Sequence, residues 1–199
     1  KNNFFDTIYH EHLDYHHAKP LVYFLKQIGF SVIDLSTNKI QGGTLRLLLQ
    51  KRKVKVKKVE KFIKNEKKFF DKISIKNKFQ NFKNTLLALN LHVKKEISKN
   101  KTIYAYGSPT KASLLLINSK LNRNLIKNSF EDNSLKCNKY IPGTDIKIIN
   151  TKKIKMNLKS IIIILAWNFS KEIEIRLKKQ KIKNTKLFIP LPKMMIRKI

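Results

Sequence analysis

The chain is poor in the residues that build disulfides, metal sites and membrane spans. Its 199 residues include one cysteine, Cys137, which excludes an internal disulfide and a cysteine-based zinc site. Its longest apolar run, residues 161–167, is far shorter than the roughly 20 residues that a membrane-spanning helix needs. With 42% hydrophobic residues, the chain can still bury a core. We therefore expect a folded protein of a reducing cytoplasm that has no membrane partner.

Acidic residues and arginine are both scarce, whereas lysine is abundant. Against 13 Asp and Glu stand 44 Lys and Arg, giving a formal charge of +31, and only five of these basic residues are arginine. Arginine is the residue that recognises bases and phosphates with a planar fork. Because the lysines are spread along the whole chain, with the densest cluster at residues 51–58, a solvated basic surface is favoured. We expect no specific nucleic-acid partner, and a basic nucleic-acid-associated protein remains an alternative.

A cluster of titratable side chains lies near the start of the chain, at Tyr9, His10, Glu11 and His12. An imidazole titrates near neutral pH and an adjacent carboxylate can orient it, so the cluster is suited to general acid/base catalysis. A histidine-rich surface turn is one alternative. A metal site is another, and it is the less favoured of the two. Its ligands would be His10, His12, His16 and His17.

The first quarter of the chain predicts one helix and one strand pair. Pro20 begins the helix and Gly29 ends it, and residues 30–35 and 44–49 then form an antiparallel pair. Two glycines before the second strand, Gly42 and Gly43, indicate a bulge or a close backbone approach. The predicted buried stripe of the helix consists of Leu21, Phe24, Leu25 and Ile28.

Residues 56–97 have helical periodicity and predict a helical hairpin with a break near Ser74. Its aromatic residues are interpreted as core rather than as a binding surface. Two buried stripes are predicted. The first is Val59, Phe62, Ile63, Phe69, Phe70 and Ile73, and the second is Phe79, Phe82, Leu86, Leu89, Val93 and Ile97.

The last hundred residues alternate between strand and helix patterns, which predicts a parallel sheet with helical crossovers and a small Rossmann-like domain. Strands are predicted at residues 102–106, 126–131, 160–165 and 186–189, and helices at residues 111–121 and 170–179. Ligands of such sheets bind at the carboxyl ends of the strands. The residues at these ends are Gly107, Ser108, Pro109, Thr110, Lys111, Asp132, Trp167 and Asn168.

Three of these strand-end features suggest particular contacts. The turn at residues 107–111 precedes a helix, so its free amides and Lys111 suit an anion such as a phosphate, although a plain strand-to-helix turn is an equal alternative. Trp167 offers a stacking face, and Asn168 offers an amide that both donates and accepts hydrogen bonds. Each of these residues taken singly is also compatible with a structural role.

Five ordered segments together resemble the sugar C-methyltransferases, which are S-adenosylmethionine-dependent enzymes acting on nucleotide-linked keto-deoxysugars. The segments are FDTIYHEHL at residues 5–13, GGTLR at 42–46, YGSPTK at 106–111, YIPGT at 140–144 and AWNF at 166–169. Departures from the family pattern are Ala112 in place of a glycine, Asp145 in place of a histidine and Cys137-Asn138 in place of a Gln-Gly pair. The lysine-rich helical segment matches least.

The resemblance implies a larger architecture, in which a zinc-binding domain and most of a class I methyltransferase domain precede this chain. The chain begins at Lys1 without Met, and we expect it to be the C-terminal part of a longer protein. Residues 1–55 would then end the methyltransferase domain, residues 56–97 would form a helical connection, and residues 98–199 would form the Rossmann-like domain. The S-adenosylmethionine site would lie mainly upstream, together with the zinc.

The resemblance also implies roles for individual residues. His12 matches the family's base, which removes a proton from the carbon next to a ketone, and Tyr9 and Glu11 match the residues beside it. The diphosphate of the nucleotide-sugar substrate would extend towards residues 107–111. A non-catalytic relative that only holds a nucleotide or a sugar is the alternative. The identities of the sugar, the nucleotide and the methylated carbon, and the oligomeric state, are left open.

Overall fold

The computed structural model describes residues 8, 12–38, 43–154 and 160–199, and its backbone divides into two compact units between Phe79 and Gln80. No helix within these ranges is long and apolar enough to cross a membrane. The assignment of residues 1–55, 56–97 and 98–199 to three functional parts stays a prediction.

The first unit packs two helices against a two-stranded antiparallel sheet. Its elements are α1 (Ala18–Gln27), β1 (Ser31–Asn38), β2 (Thr44–Gln50) and α2 (Lys57–Lys67). The antiparallel pairing was predicted, but the irregularity in register falls between Val32 and Asp34 of β1. Gly42 lies outside the described residues. The unit's buried core consists of Ala18, Val32, Leu35 and Val59.

Helix α1 begins two residues before Pro20 because Glu66 of α2 caps it. Both Glu66 carboxylate oxygens accept the N–H of Ala18, at 2.9 and 3.1 Å. Proline is tolerated in the first turn of a helix, where its missing N–H has no partner to lose. The predicted stripe was wrong at Phe24 and Ile28, which are 58% and 53% exposed.

The break between α2 and the next helix, α3 (Lys72–Ile97), lies before Ser74 and not at it. The Asp71 carboxylate accepts the Ser74 N–H at 2.8 Å, as a helix-capping side chain does, and this fixes where α3 begins. Phe70 and Ile73, predicted as buried, are 47% and 73% exposed. The later apolar stripe of α3 is buried as predicted at Phe82, Leu86, Leu89 and Val93, but its first member, Phe79, is 46% exposed.

The second unit is a seven-stranded, mostly parallel sheet with helices, which confirms the predicted α/β class. Its strands are β3 (Thr102–Tyr106), β4 (Ser129–Glu131), β5 (Tyr140–Ile141), β6 (Ile146–Asn150), β7 (Ser160–Ile164), β8 (Lys186–Ile189) and β9 (Met195–Lys198). The order across the sheet is β5-β6-β4-β3-β7-β8-β9. The five central strands are parallel, and β5 and β9 run antiparallel at the two edges.

The connections on the two sides of β3 run in opposite directions across the sheet, and we call the region beyond the carboxyl ends of β3 and β7 the crevice. From β3 the chain crosses through α4 (Ala112–Asn118) to β4 on one side, and β7 later joins the other side of β3 and leads into α5 (Ser170–Lys179). Open α/β sheets bind ligands at such a change of direction, beyond the carboxyl ends of the strands. The turns after β3 and β7 therefore define the candidate site.

Three strands were missed, and each lacks the signal that identified the others. Strand β5 has only two residues, and β6 alternates buried and exposed side chains beside the polar turns that surround it. Strand β9 contains Arg197 and Lys198 and has no fully buried residue, as is common for an edge strand.

A buried carboxylate joins α3 to β8. Glu96 is 6% exposed and forms ion pairs with Lys101 at 2.9 Å and Lys186 at 2.5 Å. Burial raises the pKa of Glu96, but the hydrogen bonds and charges of Lys186 and Lys101 outweigh burial and lower the pKa to about 2. The ionised carboxylate therefore stabilises the fold above the ordinary pKa of 4.5, and this contribution is lost as the pH falls towards 2.

Replacing Glu96 tests this linkage. We expect Glu96→Gln to lower the free energy of unfolding of the second unit by about 2 kcal/mol at pH 7, because two partly buried ammonium groups lose their counter-charge. The difference from wild type should shrink between pH 4.5 and pH 2. Hydrogen exchange of the β8 amides at several pH values measures it. Glu172→Gln, at an exposed position of α5, is the control and should cost less than about 0.5 kcal/mol. Equal losses of unfolding free energy in the two variants would contradict the stabilising role assigned to Glu96.

Candidate functional site

The turns that follow β3 and β7 lie against each other. Gly107 has a φ of +85°, and a Cβ at this position would lie 2.7 Å from the Ala166 Cβ. The Tyr106 carbonyl oxygen accepts the Leu165 N–H at 2.9 Å, which joins the same two turns through the backbone. Only glycine satisfies both the left-handed backbone and the close approach.

The end of β4 holds the turn after β3 in place. The Ser108 N–H donates to Glu131 Oε2 at 2.8 Å, and Lys136 Nζ donates to the Ser108 carbonyl oxygen at 3.0 Å. The Gly107 N–H donates to the Phe130 carbonyl oxygen at 2.7 Å. The turn is thus fixed by a carboxylate, an ammonium group and a backbone carbonyl of the neighbouring strand and its loop.

These bonds change how the turn can hold an anion. The N–H groups of Gly107 and Ser108 already have protein acceptors, Pro109 has no N–H, and α4 has only seven residues. Thr110 is exposed. An anion at this turn would therefore be bound by Lys111 rather than by the first amides of the turn.

Lys111 and Trp167, which follow β3 and β7, are in contact with each other. The Lys111 Nζ lies 4.3 Å from the centroid of the Trp167 ring, a cation–π geometry. Trp167 is 3% exposed, and its Nε1 has no hydrogen-bond partner among the described residues. The predicted stacking face is thus covered by Lys111, and the indole orients the ammonium group. Asn168, next in the chain, is exposed.

Asp132, at the end of β4, is the centre of a polar network. Its Oδ1 accepts the Thr151 hydroxyl at 2.8 Å, and its Oδ2 accepts the Tyr106 hydroxyl at 3.3 Å and a short hydrogen bond from Arg176 Nη1. Arg176 Nη1 lies 3.4 Å from the Tyr106 hydroxyl oxygen. Burial, more than any neighbour, raises the pKa of Tyr106, so the phenol stays protonated at neutral pH.

The sequence did not point to Thr151 or Arg176. Thr151 follows β6, a strand that was not predicted, and Arg176 lies two turns inside α5, where a charged side chain is ordinary. The scarcity of arginine was the one available signal, because each of five arginines in so lysine-rich a chain stands out.

The predicted catalytic cluster lies only partly within the described residues. Tyr9, Glu11 and His10 fall outside them. His12 is exposed in the segment before α1, and its ring centroid lies 6.4 Å from that of Tyr15. Within the described ranges, no group of three or more His, Cys, Asp or Glu side chains is placed to hold a metal. His12 belongs to the first unit, and the strand-end residues belong to the second.

The amino-acid sequence matches a known protein family over most of the chain. A sequence profile described as "C-methyltransferase C-terminal domain" matches residues 39–192. The chain belongs to this family. The C-methyltransferase NovU of Streptomyces niveus is 28% identical over 198 residues, which are 96% of this chain and 47% of that protein. The chain therefore spans about half the length of this curated relative. The profile covers every strand-end residue of the candidate site, and His12 precedes its matched range.

The close approach of the two turns predicts a large cost for Gly107→Ala. We expect a loss of about 3 kcal/mol in the free energy of unfolding of the second unit, since backbone strain and overpacking add. Gly143→Ala is the matched control, with a φ of +73° and a Cβ that would meet Ile117 Cδ1, the end of an exposed side chain that can rotate away. It should cost about 1 kcal/mol. Hydrogen exchange of the β7 amides measures both, and equal costs would show that the Ala166 contact yields easily.

Proposed function

We propose that the protein to which this chain belongs transfers a methyl group from S-adenosylmethionine to a carbon atom of a nucleotide-linked keto-deoxysugar. Membership in the family of C-methyltransferase C-terminal domains is the observation that carries methyl transfer to carbon. The name of NovU, a C-methyltransferase, agrees with it. The five sequence segments that resemble sugar C-methyltransferases support the finer proposal of the sugar and of the methyl donor.

The contribution of this chain to the chemistry is the removal of a proton. A C–H bond next to a ketone is acidic enough for a positioned imidazole to remove the proton when the resulting enolate is stabilised. His12 is the proposed base, and its exposure before α1 leaves the imidazole accessible to a substrate. Glu11 would orient the imidazole or a sugar hydroxyl, and Tyr9 would donate a hydrogen bond to the sugar or the enolate oxygen.

The first fifty residues of this chain contain no glycine-rich loop for the methyl donor. The glycines of its first fifty residues are Gly29, Gly42 and Gly43, and none of them lies between a strand and a following helix, where a glycine-rich nucleotide-binding loop would be. S-adenosylmethionine supplies an electrophilic methyl group when it is bound, and we place its site mainly upstream of this chain.

The crevice at β3 and β7 is the proposed site of the nucleotide part of the substrate. Lys111 offers a phosphate an ammonium group that the Trp167 ring holds in position. Asn168, which follows Trp167 in the chain, is exposed and can donate and accept hydrogen bonds. Thr110 and Pro109 complete the turn, and Gly107 and Ser108 shape it through their bonds to β4.

Replacing His12 tests the proposed base. In the full-length protein, His12→Ala should lower the turnover number by roughly 10²–10⁴-fold, because proton removal loses its acceptor. Binding of S-adenosylmethionine, measured by calorimetry, should stay nearly unchanged. His16→Ala, which removes another exposed imidazole of the same segment, is the control and should retain most of the activity. A His12→Ala protein with the wild-type rate would remove His12 from the mechanism and favour a different base.

Replacing Lys111 tests the proposed nucleotide site. Lys111→Ala should raise the KM for the nucleotide-linked sugar by about tenfold or more and change kcat much less, because a phosphate contact far from the reacting carbon contributes uniform binding. Lys139→Ala removes the same charge from an exposed position outside the crevice and serves as the control. Steady-state kinetics at fixed ionic strength separate the two constants. An unchanged KM would show that residues 107–111 form a purely structural turn.

A further inference from the structure

Arg176 is held through one nitrogen of its guanidinium, and its side chain is half exposed. The hydrogen bonds that it makes to described residues, to Asp132 Oδ2 and to the Tyr106 hydroxyl, both use Nη1. Nε and Nη2 lie on the opposite edge of the planar group from Nη1. An arginine held in this way presents donors in a fixed plane, which suits the bidentate binding of a phosphate.

The groups that hold Arg176 are themselves anchored at the carboxyl ends of parallel strands. Tyr106 ends β3 and is 2% exposed, and Asp132 follows β4 and accepts the hydroxyl of Thr151, which follows β6. Arg176 reaches this edge from α5. Residues at the ends of three strands and one residue of α5 therefore form a single network, at the carboxyl ends of the strands where sheets of this class bind ligands.

The backbone amides nearest to this network are occupied by a carboxylate of the chain itself. Glu131 accepts the Ser108 N–H through Oε2 and the N–H groups of Asp132 and Asn133 through Oε1, at 2.8 to 3.1 Å. These three N–H groups could otherwise bind a phosphate, but each already donates to Glu131. An anionic ligand at the carboxyl ends of these strands therefore needs side-chain donors. Arg176 offers such donors in the plane of its guanidinium group.

The nearby Asp132 carboxylate opposes an anion only weakly. It bonds to Nη1, so a ligand on the Nε and Nη2 edge lies farther from it than from the guanidinium. Repulsion between charges that do not touch is weak in a largely aqueous setting, whereas hydrogen bonds from a charged donor to a phosphate are strong. The attraction therefore outweighs the repulsion, and Asp132 acts mainly to orient Arg176.

We propose that Arg176 binds a phosphoryl group of the nucleotide diphosphate through its Nε and Nη2 edge, while Asp132 and Tyr106 hold Nη1. The inference rests on the proposed function for the presence of a nucleotide. The binding of a diphosphate can nevertheless be measured without any methyl transfer.

The test is calorimetric binding of inorganic pyrophosphate to the full-length protein at 0.15 M salt. Arg176→Gln should weaken the binding by at least tenfold, because both fork donors and the charge are lost. Arg123→Gln removes the same charge from another exposed arginine and should weaken it by less than twofold. This control is needed because a chain with a charge of +31 attracts any polyanion. Arg176→Lys keeps the charge without the fork and should give intermediate affinity.

Three results would overturn the proposal. They are an unchanged affinity in Arg176→Gln, an equal loss in Arg123→Gln, and full affinity in Arg176→Lys if Arg176→Gln does not fold. Methyl transfer by the wild-type protein to a nucleotide-linked keto-deoxysugar, together with any of these, would overturn the role of Arg176 alone. Pyrophosphate binding that depends on Arg176, in a protein that transfers no methyl group to such a sugar, would overturn the proposed function and leave this site standing.

Discussion

The contact between Gly107 and Ala166 is the constraint on which the candidate site depends. It brings the turn after β3 within van der Waals distance of the turn after β7, at the point where the chain changes direction across the sheet. The two turns approach through a glycine and an alanine, whose small size allows the close contact. Lys111 and Trp167 are a pair whose cation–π contact spans the same two turns. A bulkier residue at either position would separate the turns and the pair together.

Carboxylates determine how this basic protein presents positive charge at the crevice. Glu131 occupies the backbone amides, and Asp132 holds one edge of Arg176, so two acidic residues at the end of β4 organise both the turn and the arginine. In a chain with 44 basic and 13 acidic residues, the position of an acidic residue carries more information than that of a lysine. The same holds for Glu96 and Glu66, which join α3 to β8 and α2 to α1.

The sequence was sufficient for the fold class and for the strand ends, because unbroken or alternating apolar runs and turn residues are local signals. The strands at residues 102–106 and 186–189 and the helix at 170–179 have the predicted bounds. One error occurred where a distant side chain decides, because Glu66 starts α1 early, and the missed strands β5, β6 and β9 lacked a clear local signal. The Asp132 network could not be predicted, because it assembles residues from β3, β4, β6 and α5 that no spacing relates. The amides of the 107–111 turn appeared open for the same reason, since Glu131 reaches them across strands.

Trp167 is the single tryptophan of the chain, and its buried indole lies directly beneath the Lys111 ammonium group. Indole emission responds to a nearby positive charge and to a change in the polarity around the ring. The crevice thus contains its own optical reporter, whose signal cannot be confused with that of another tryptophan in this chain. A ligand that draws Lys111 away from the ring would register as a change in emission, without any label and without turnover.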